Sequence, residues 1–225
     1  YPETAYGVMS WWDYGYWIMR ISHRIPNSNP SQGHAVEAAR FFTAQDESSA
    51  NKLADQLGSK YVIIDYQMPT AKFYAMPRWA GNSEHEFLGT YYLPPEDGKL
   101  QPVTLLYPTY YRSMVVRLYN FDGKAVVPEE SIVISYEEKI SRKGVRYMEI
   151  TGSWSFPSYK AAQAYVSSQE SENYRIVGTT PFATPVPLEK LNNYKLVHKS
   201  GSEVKIADKN LPSVKIFQYL GSDKS

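Results

Sequence analysis

Cysteine is missing from all 225 residues, which excludes disulfides, zinc ribbons and thiol nucleophiles in one step. A run of ~18 apolar residues, the least that crosses a bilayer as a helix, is missing too. Neither charge is in excess. The formal net charge is +1, so there is no basic footprint for nucleic acid and no polybasic stretch for a membrane surface. No Gly-X-Ser-X-Gly, Gly-X-Gly-X-X-Gly or Gly-X-X-X-X-Gly-Lys sequence occurs, which leaves hydrolase, dinucleotide and P-loop functions without support. The four histidines, His23, His34, His85 and His198, are scattered. His34 and Glu37 would share a helical face, but no His-X-X-X-His pair exists, so no metal site is expected here. The chain also lacks an intact glycosylation sequon, because Pro30 spoils Asn29-Pro30-Ser31. No secretory leader is visible, and Tyr1 stands where an initiator methionine would, which predicts a processed product or an excised domain.

What is present is aromatic. There are 20 tyrosines, scattered rather than repeated, and such rings suit sugars, peptides or the rim of a core. Three of the five tryptophans fall within the eight residues Ser10-Trp11-Trp12-Asp13-Tyr14-Gly15-Tyr16-Trp17. A carboxylate among indoles is expensive to bury unpaired. One reading is a rigid pocket of two indole donors and one strong acceptor, matched to a hydroxyl, which both donates and accepts. The other is an aromatic entry to a core helix with Asp13 as its cap.

Taken in order, the sequence interleaves helices and strands. A short helix is expected after the tryptophans, within 11–20, then a turn-rich loop to Gly33. Helices are expected over 34–44 and 46–57, the second capped by Asp46 and stopped at Gly58. Tyr61-Val62-Ile63-Ile64 reads as a buried strand with Asp65 at its carboxyl end, where functional residues of such sheets collect. Met68-Pro69 then predicts a helix whose Met68, Lys72 and Met76 share one face, with Pro77 ending or kinking it. Residues 87–107, with Asp97-Gly98, predict an irregular hairpin. An amphipathic helix over 110–118 follows, then paired strands at 132–136 and 145–150. A helix over 159–167, a strand at 174–177, a short helix over 188–192 and strands at 195–198 and 214–220 complete the chain. The fold class is mixed α/β (α+β). The expected division is a helix-rich central core over about 1–120 and 151–225 with a β-rich insertion over about 121–150.

Two further constellations carry bland alternatives. Asp13, Asp65, Glu84, Glu86, Asp97 and Asp122 are candidates for a carboxylate pair of glycosidase type, although a solvated surface role is the default. Two methionines on one face ordinarily mean core. The lysine between them must snorkel or find a carboxylate.

Trp11-Trp12-Asp13-Tyr14-Gly15 resembles the signature of the oligosaccharyltransferase catalytic subunits, the family of eukaryotic STT3, bacterial PglB and archaeal AglB. Arg24-Ile25-Pro26 through Asn29-Pro30, Tyr61 to Asp65, Tyr111-Arg112-Ser113-Met114 and Tyr194 to His198 are similar to the archaeal members. The likeness covers most of the chain and implies the soluble C-terminal domain of a short form of AglB. The family transfers a glycan from a lipid-linked donor of dolichol-phosphate type to asparagine in Asn-X-Ser/Thr. The resemblance implies that Trp11, Trp12 and Asp13 receive the Ser/Thr hydroxyl, with Tyr14 and Gly15 supporting them. A second family element has Asp, Lys at +3 and Met or Ile at +7. Here Asp65 is followed by Met68 and Lys72, with Met76 at +11, which resembles a variant with Met and Lys exchanged. Lys72, and Met68 or Met76, are then expected at the pocket, with Asp65 as an anchor.

The family's Mn²⁺ or Mg²⁺ is implied to sit in a transmembrane portion not contained here. No residue of this chain is therefore expected to be catalytic, and the isolated domain is expected to be inactive. The implied partners are an acceptor polypeptide, a lipid-linked oligosaccharide and the protein's own transmembrane domain. A monomer on the extracytoplasmic face of the cell membrane is expected. The competing readings are a non-enzymatic carbohydrate- or peptide-binding module and a free-standing glycosidase.

Overall fold

A computed structural model describes residues 5–96, 99–141, 143–206 and 208–222. In chain order it has β1 (Gly7–Met9), α1 (Gly15–Ser22), β2 (Ile25–Pro26), α2 (Ala35–Thr43), α3 (Glu47–Gln56) and β3 (Ser59–Asp65). Next come α4 (Ala75–Ala80), β4 (Leu88–Glu96), β5 (Lys99–Leu106), α5 (Pro108–Arg112) and α6 (Met114–Phe121). Then follow β6 (Ser131–Ile140), β7 (Arg146–Phe156), α7 (Tyr159–Ser167), β8 (Tyr174–Val177) and β9 (Tyr194–Lys199). β10 (Glu203–Ile206), β11 (Lys209–Pro212) and β12 (Val214–Tyr219) end the chain. The mixed α/β class is as read from the sequence. No helix among the described residues is long and apolar enough to cross a membrane.

The chain forms two compact units, one of residues 1–84, 112–125 and 189–225, the other of 85–111 and 126–188. The β-rich unit is therefore drawn from two stretches, 85–111 and 126–188, in place of an insertion over about 121–150. The reason lies in pairing: β4, from the 87–107 hairpin, joins β7 through Tyr92 and Glu149, so both hairpins share one sheet.

In the first unit the sheet order is β2-β1-β3-β12-β9. β1 lies parallel to β3, and β12 runs antiparallel to it. Met9, Val62 and Phe217 stand side by side across these three strands, each fully buried. Full burial of one such side chain stabilises by about 1.5–3 kcal/mol. α2 buries Ala38, Ala39, Phe41 and Phe42. α3 begins as expected, with Asp46 Oδ1 accepting from Ser49 N at 2.7 Å.

Two expected helices are not formed. Residues 66–74 are a ladder of turns rather than a helix, with Met68, Thr70, Phe73, Ala75 and Met76 each bonded three residues back. Asp65 Oδ1 takes the Met68 N–H at 2.8 Å and Thr70 Oγ1 donates to Tyr66 O, so side chains claim groups a helix would use. Pro77 lies within α4 instead of ending a helix. At the third position its missing N–H falls in the first turn, where no intrahelical partner exists. The short helix at 188–192 is replaced by irregular chain. Leu188 bridges Val126, and the Glu47 carboxylate takes the Asn192 and Asn193 N–H groups at 3.1 and 2.7 Å. The expected helix over 110–118 is split at buried, extended Ser113 into α5 and α6.

The second unit is a sheet of order β5-β4-β7-β6-β8. Its two edges meet where Leu106 and Gly178 exchange backbone bonds of 2.9 and 2.8 Å, around a core of Tyr91, Leu105, Tyr107, Ile134, Ile150 and Val177. α7 covers Val133 and Ile176 with Ala162, and Ser158 caps it. The Asp97-Gly98 turn of the expected hairpin lies outside the described residues.

Candidate functional site

β1 and β3 are parallel neighbours, so their carboxyl ends open on the same side of the sheet. Ser10 to Trp17 follow one strand and Asp65 to Lys72 follow the other, which is why segments more than fifty residues apart meet. Trp12–Tyr14 form one 3₁₀ turn that runs directly into α1. Trp11 is buried, while Trp12, Asp13 and Tyr14 are half-buried. The indole rings of Trp11 and Trp12 are 6.4 Å apart, tilted by 48°. Ser28 Oγ donates to Ser10 O at 3.0 Å and pins the start of the segment.

Lys72 ties the two segments together. Its Nζ lies 2.5 Å from Asp13 Oδ2 and 2.7 Å from Asp65 Oδ2, and 5.2 Å from the centre of the Tyr14 ring. Tyr14 donates its hydroxyl to Asp65 Oδ2 at 2.9 Å. Burial works against the Lys72 ammonium, but its bonds to Asp13 and Asp65 outweigh it, and its pKa is raised. Burial and the neighbouring Asp65 push the Tyr14 phenol up as well, so it stays a donor. Asp65 is an anchor with both oxygens engaged, one on the Met68 N–H and one on Lys72 and Tyr14. Asp13 differs. Its Oδ1 is buried and has no hydrogen-bond partner among the described residues. Neither helix-start cap in this segment, Trp11 or Tyr14, makes a side-chain cap bond, and Asp13 is not the cap residue of either. The core-helix cap is thus not what Asp13 does.

The AglB core domain family model matches residues 1–69. The Haloferax volcanii dolichyl-monophosphooligosaccharide–protein glycotransferase AglB is 35% identical over 223 residues, covering 90% of this chain. The chain belongs to the archaeal AglB family. It spans only 21% of that AglB. In fold it is similar to two Archaeoglobus fulgidus oligosaccharyltransferase structures, each 23% identical and with a TM-score of 0.52 over 97% of this chain. One is AglB in complex with an inhibitory peptide and a dolichol-phosphate, matched over 27% of its length. The other is tethered to an acceptor peptide containing the NVT sequon through a disulfide bond, and is matched over 28%.

Within this AglB-family chain, the structure brings together Trp11, Trp12, Asp13, Tyr14, Asp65 and Lys72. Met68 and Met76 have no exposed surface and belong to the core, so neither is open to a ligand in this arrangement. Of the other carboxylates, Glu84 pairs with Arg78 and Asp122 with Lys199 and Lys215, while Asp97 lies outside the described residues. Asp13 and Asp65 do meet, but across a shared ammonium, which is not a glycosidase pair. His34 sits 3.7 Å from Glu37.

Gly15 supports the segment by having no side chain. A Cβ there would lie 2.5 Å from Asn29 Cα and 2.6 Å from Ser28 O, both backbone atoms that cannot turn aside. Gly15→Ala is therefore expected to lower stability by about 1–3 kcal/mol in a denaturant melt, by overpacking. An unchanged midpoint would show that Gly15 is not tightly opposed to the backbone of Ser28 and Asn29. Sequence reasoning missed Tyr14 as the donor to Asp65, a contact spanning 51 positions with no spacing signal. It also missed how far α1 exposes Trp17 (63%) and Ile21 (69%) beside the site.

Proposed function

We propose that this chain is the acceptor-recognition domain of an AglB-type oligosaccharyltransferase, receiving the Ser/Thr hydroxyl of Asn-X-Ser/Thr at Trp11, Trp12 and Asp13. One observation carries the reading: Asp13 holds Lys72 with Oδ2 while Oδ1 is buried without a hydrogen-bond partner among the described residues. A buried acceptor left unmade costs about 1–3 kcal/mol. A hydroxyl donating to it after a small shift of the segment recovers that cost, and a side chain without a hydroxyl does not. Such a site rejects analogues lacking the group it bonds. Family membership supports an acceptor-binding role for the chain, and the fold neighbours are proteins with a peptide bound or tethered.

The domain's contribution is placement. The acceptor asparagine amide is a weak nucleophile, so holding it in register with the donor lowers the barrier by proximity rather than by proton transfer. Lys72 fixes the Asp13 carboxylate, and Asp65 with Tyr14 fixes Lys72. Among the described residues no group of three or more His, Asp or Glu side chains stands close enough to hold a metal. The donor set among the described residues does not fit the Mn²⁺ or Mg²⁺ that the resemblance implies. We assign the metal and the transfer of the lipid-linked glycan to a membrane portion of a longer protein. The exposed Trp17 and Ile21 of α1 support a contact with that portion, on the extracytoplasmic side of the membrane.

The test is direct. Incubated with a lipid-linked donor, an Asn-X-Thr peptide and Mn²⁺, the isolated chain is expected to form no glycopeptide, whereas the longer protein forms it. Robust product from the isolated chain would overturn this division of roles.

A further inference from the structure

The second unit carries an open cavity of about 610 Å³, within the size range of small-molecule sites. It lies along the edge of β8, where the curled sheet fails to close beyond the single Leu106–Gly178 bridge. Four stretches line it: His85 and Glu86 before β4, Tyr107 and Pro108 after β5, Tyr159 and Gln163 on α7, and Tyr174 and Arg175 on β8. The aromatic rings are held in place. Trp154 stacks on Tyr174 with ring centres 5.9 Å apart, and Tyr91 and Tyr107 share a hydroxyl bond of 2.9 Å. Arg175 is half-buried with its guanidinium 4.3 Å from the centre of the Tyr107 ring, and no carboxylate lies within ion-pair distance of it among the described residues.

We infer that this cavity is a saccharide-binding site, separate from the Asp13 site. A sugar ring offers apolar C–H faces and a rim of hydroxyls. Tyrosine rings cover the former, and the Arg175 guanidinium and Gln163 amide bond the latter. The cavity's three tyrosine-bearing walls fit a ring better than an extended strand. A peptide adding to the β8 edge would draw mainly on backbone groups and would leave the rings without a defined role. The inference does not depend on the acceptor-hydroxyl reading, because the residues involved are all different.

The probes are methyl glucoside, methyl glucuronide and N-acetylglucosamine, each titrated into the chain while the amide and tyrosine ring NMR signals are followed. At least one is expected to shift signals of Tyr107, Tyr159 and Tyr174. Arg175→Gln is expected to weaken that binding by roughly tenfold, the worth of one bond from a charged donor. Gln163→Ala, at an exposed helical position that favours alanine, is expected to weaken it with no loss in thermal midpoint. Saturation unaffected by either variant, or no shift with any of the three at millimolar concentration, would overturn the inference. So would a sequon-free extended peptide shifting the β8 amides where the saccharides do not.

Discussion

Asp13→Ala, introduced into the membrane-embedded protein to which we assign this chain, is expected to lower glycosylation of an Asn-X-Thr peptide by between about 10- and 100-fold. That is the worth of one hydrogen bond to a charged acceptor. The preference for Thr over Val at the third position is expected to vanish with it. Asp13→Asn keeps an acceptor oxygen but loses the charge that holds Lys72, so it is expected to recover only part of the activity. The arrangement explains why. Oδ2 of Asp13 is taken by Lys72 and Oδ1 is the unsatisfied atom, so the carboxylate performs two tasks at once. A variant with unchanged turnover and unchanged preference would show that the hydroxyl is read elsewhere.

Lys72→Met is expected to cost about 1–3 kcal/mol, less than a fully buried pair would, because Lys72 and Asp13 remain 21% and 33% exposed. Methionine keeps the length of the side chain and removes the charge, which leaves two carboxylates facing one another without a cation. The Asp13→Ala/Lys72→Met double variant is expected to lose less than the sum of the two, since removing Asp13 also removes the repulsion. The pH dependence has a definite sign. The ordinary lysine value is 10.5 and the folded value is raised above it. The stabilisation is therefore complete below about pH 10.5 and is lost as pH rises through the folded value. Above that pH, wild type is expected to lose stability more steeply than Lys72→Met in urea melts. Parallel curves would show that the ammonium is not held by the pair.

How much of this the sequence carries depends on the kind of interaction. α2, α3 and α7 were legible because short-range helical signals are local, as the Asp46 cap of α3 shows. The strand at 61–64 was legible as an unbroken apolar run, and its partner β12 falls within the strand expected at 214–220. Gly7–Met9 was not, because three residues are too few to show a period. The 66–74 segment read as a helix because Met68, Lys72 and Met76 recur every four residues. Its turns are instead set by Asp65 and Thr70 side chains competing for backbone groups, which periodicity does not register. At the site, the sequence nominated Trp11, Trp12, Asp13, Asp65 and Lys72. It could not show that one ammonium bridges Asp13 and Asp65, since that follows from two parallel strands ending side by side. Nor could it separate Lys72, at the surface of the pair, from Met68 and Met76 in the core.

The most direct test is the affinity of the full-length protein for two peptides that differ only in Asn-X-Thr against Asn-X-Val. Threonine and valine have the same shape, so the comparison isolates the hydroxyl. The Thr peptide is expected to bind at least about tenfold more tightly, the value of one hydrogen bond to a charged group. Equal affinities would contradict the claim that Asp13 and its flanking tryptophans read that hydroxyl.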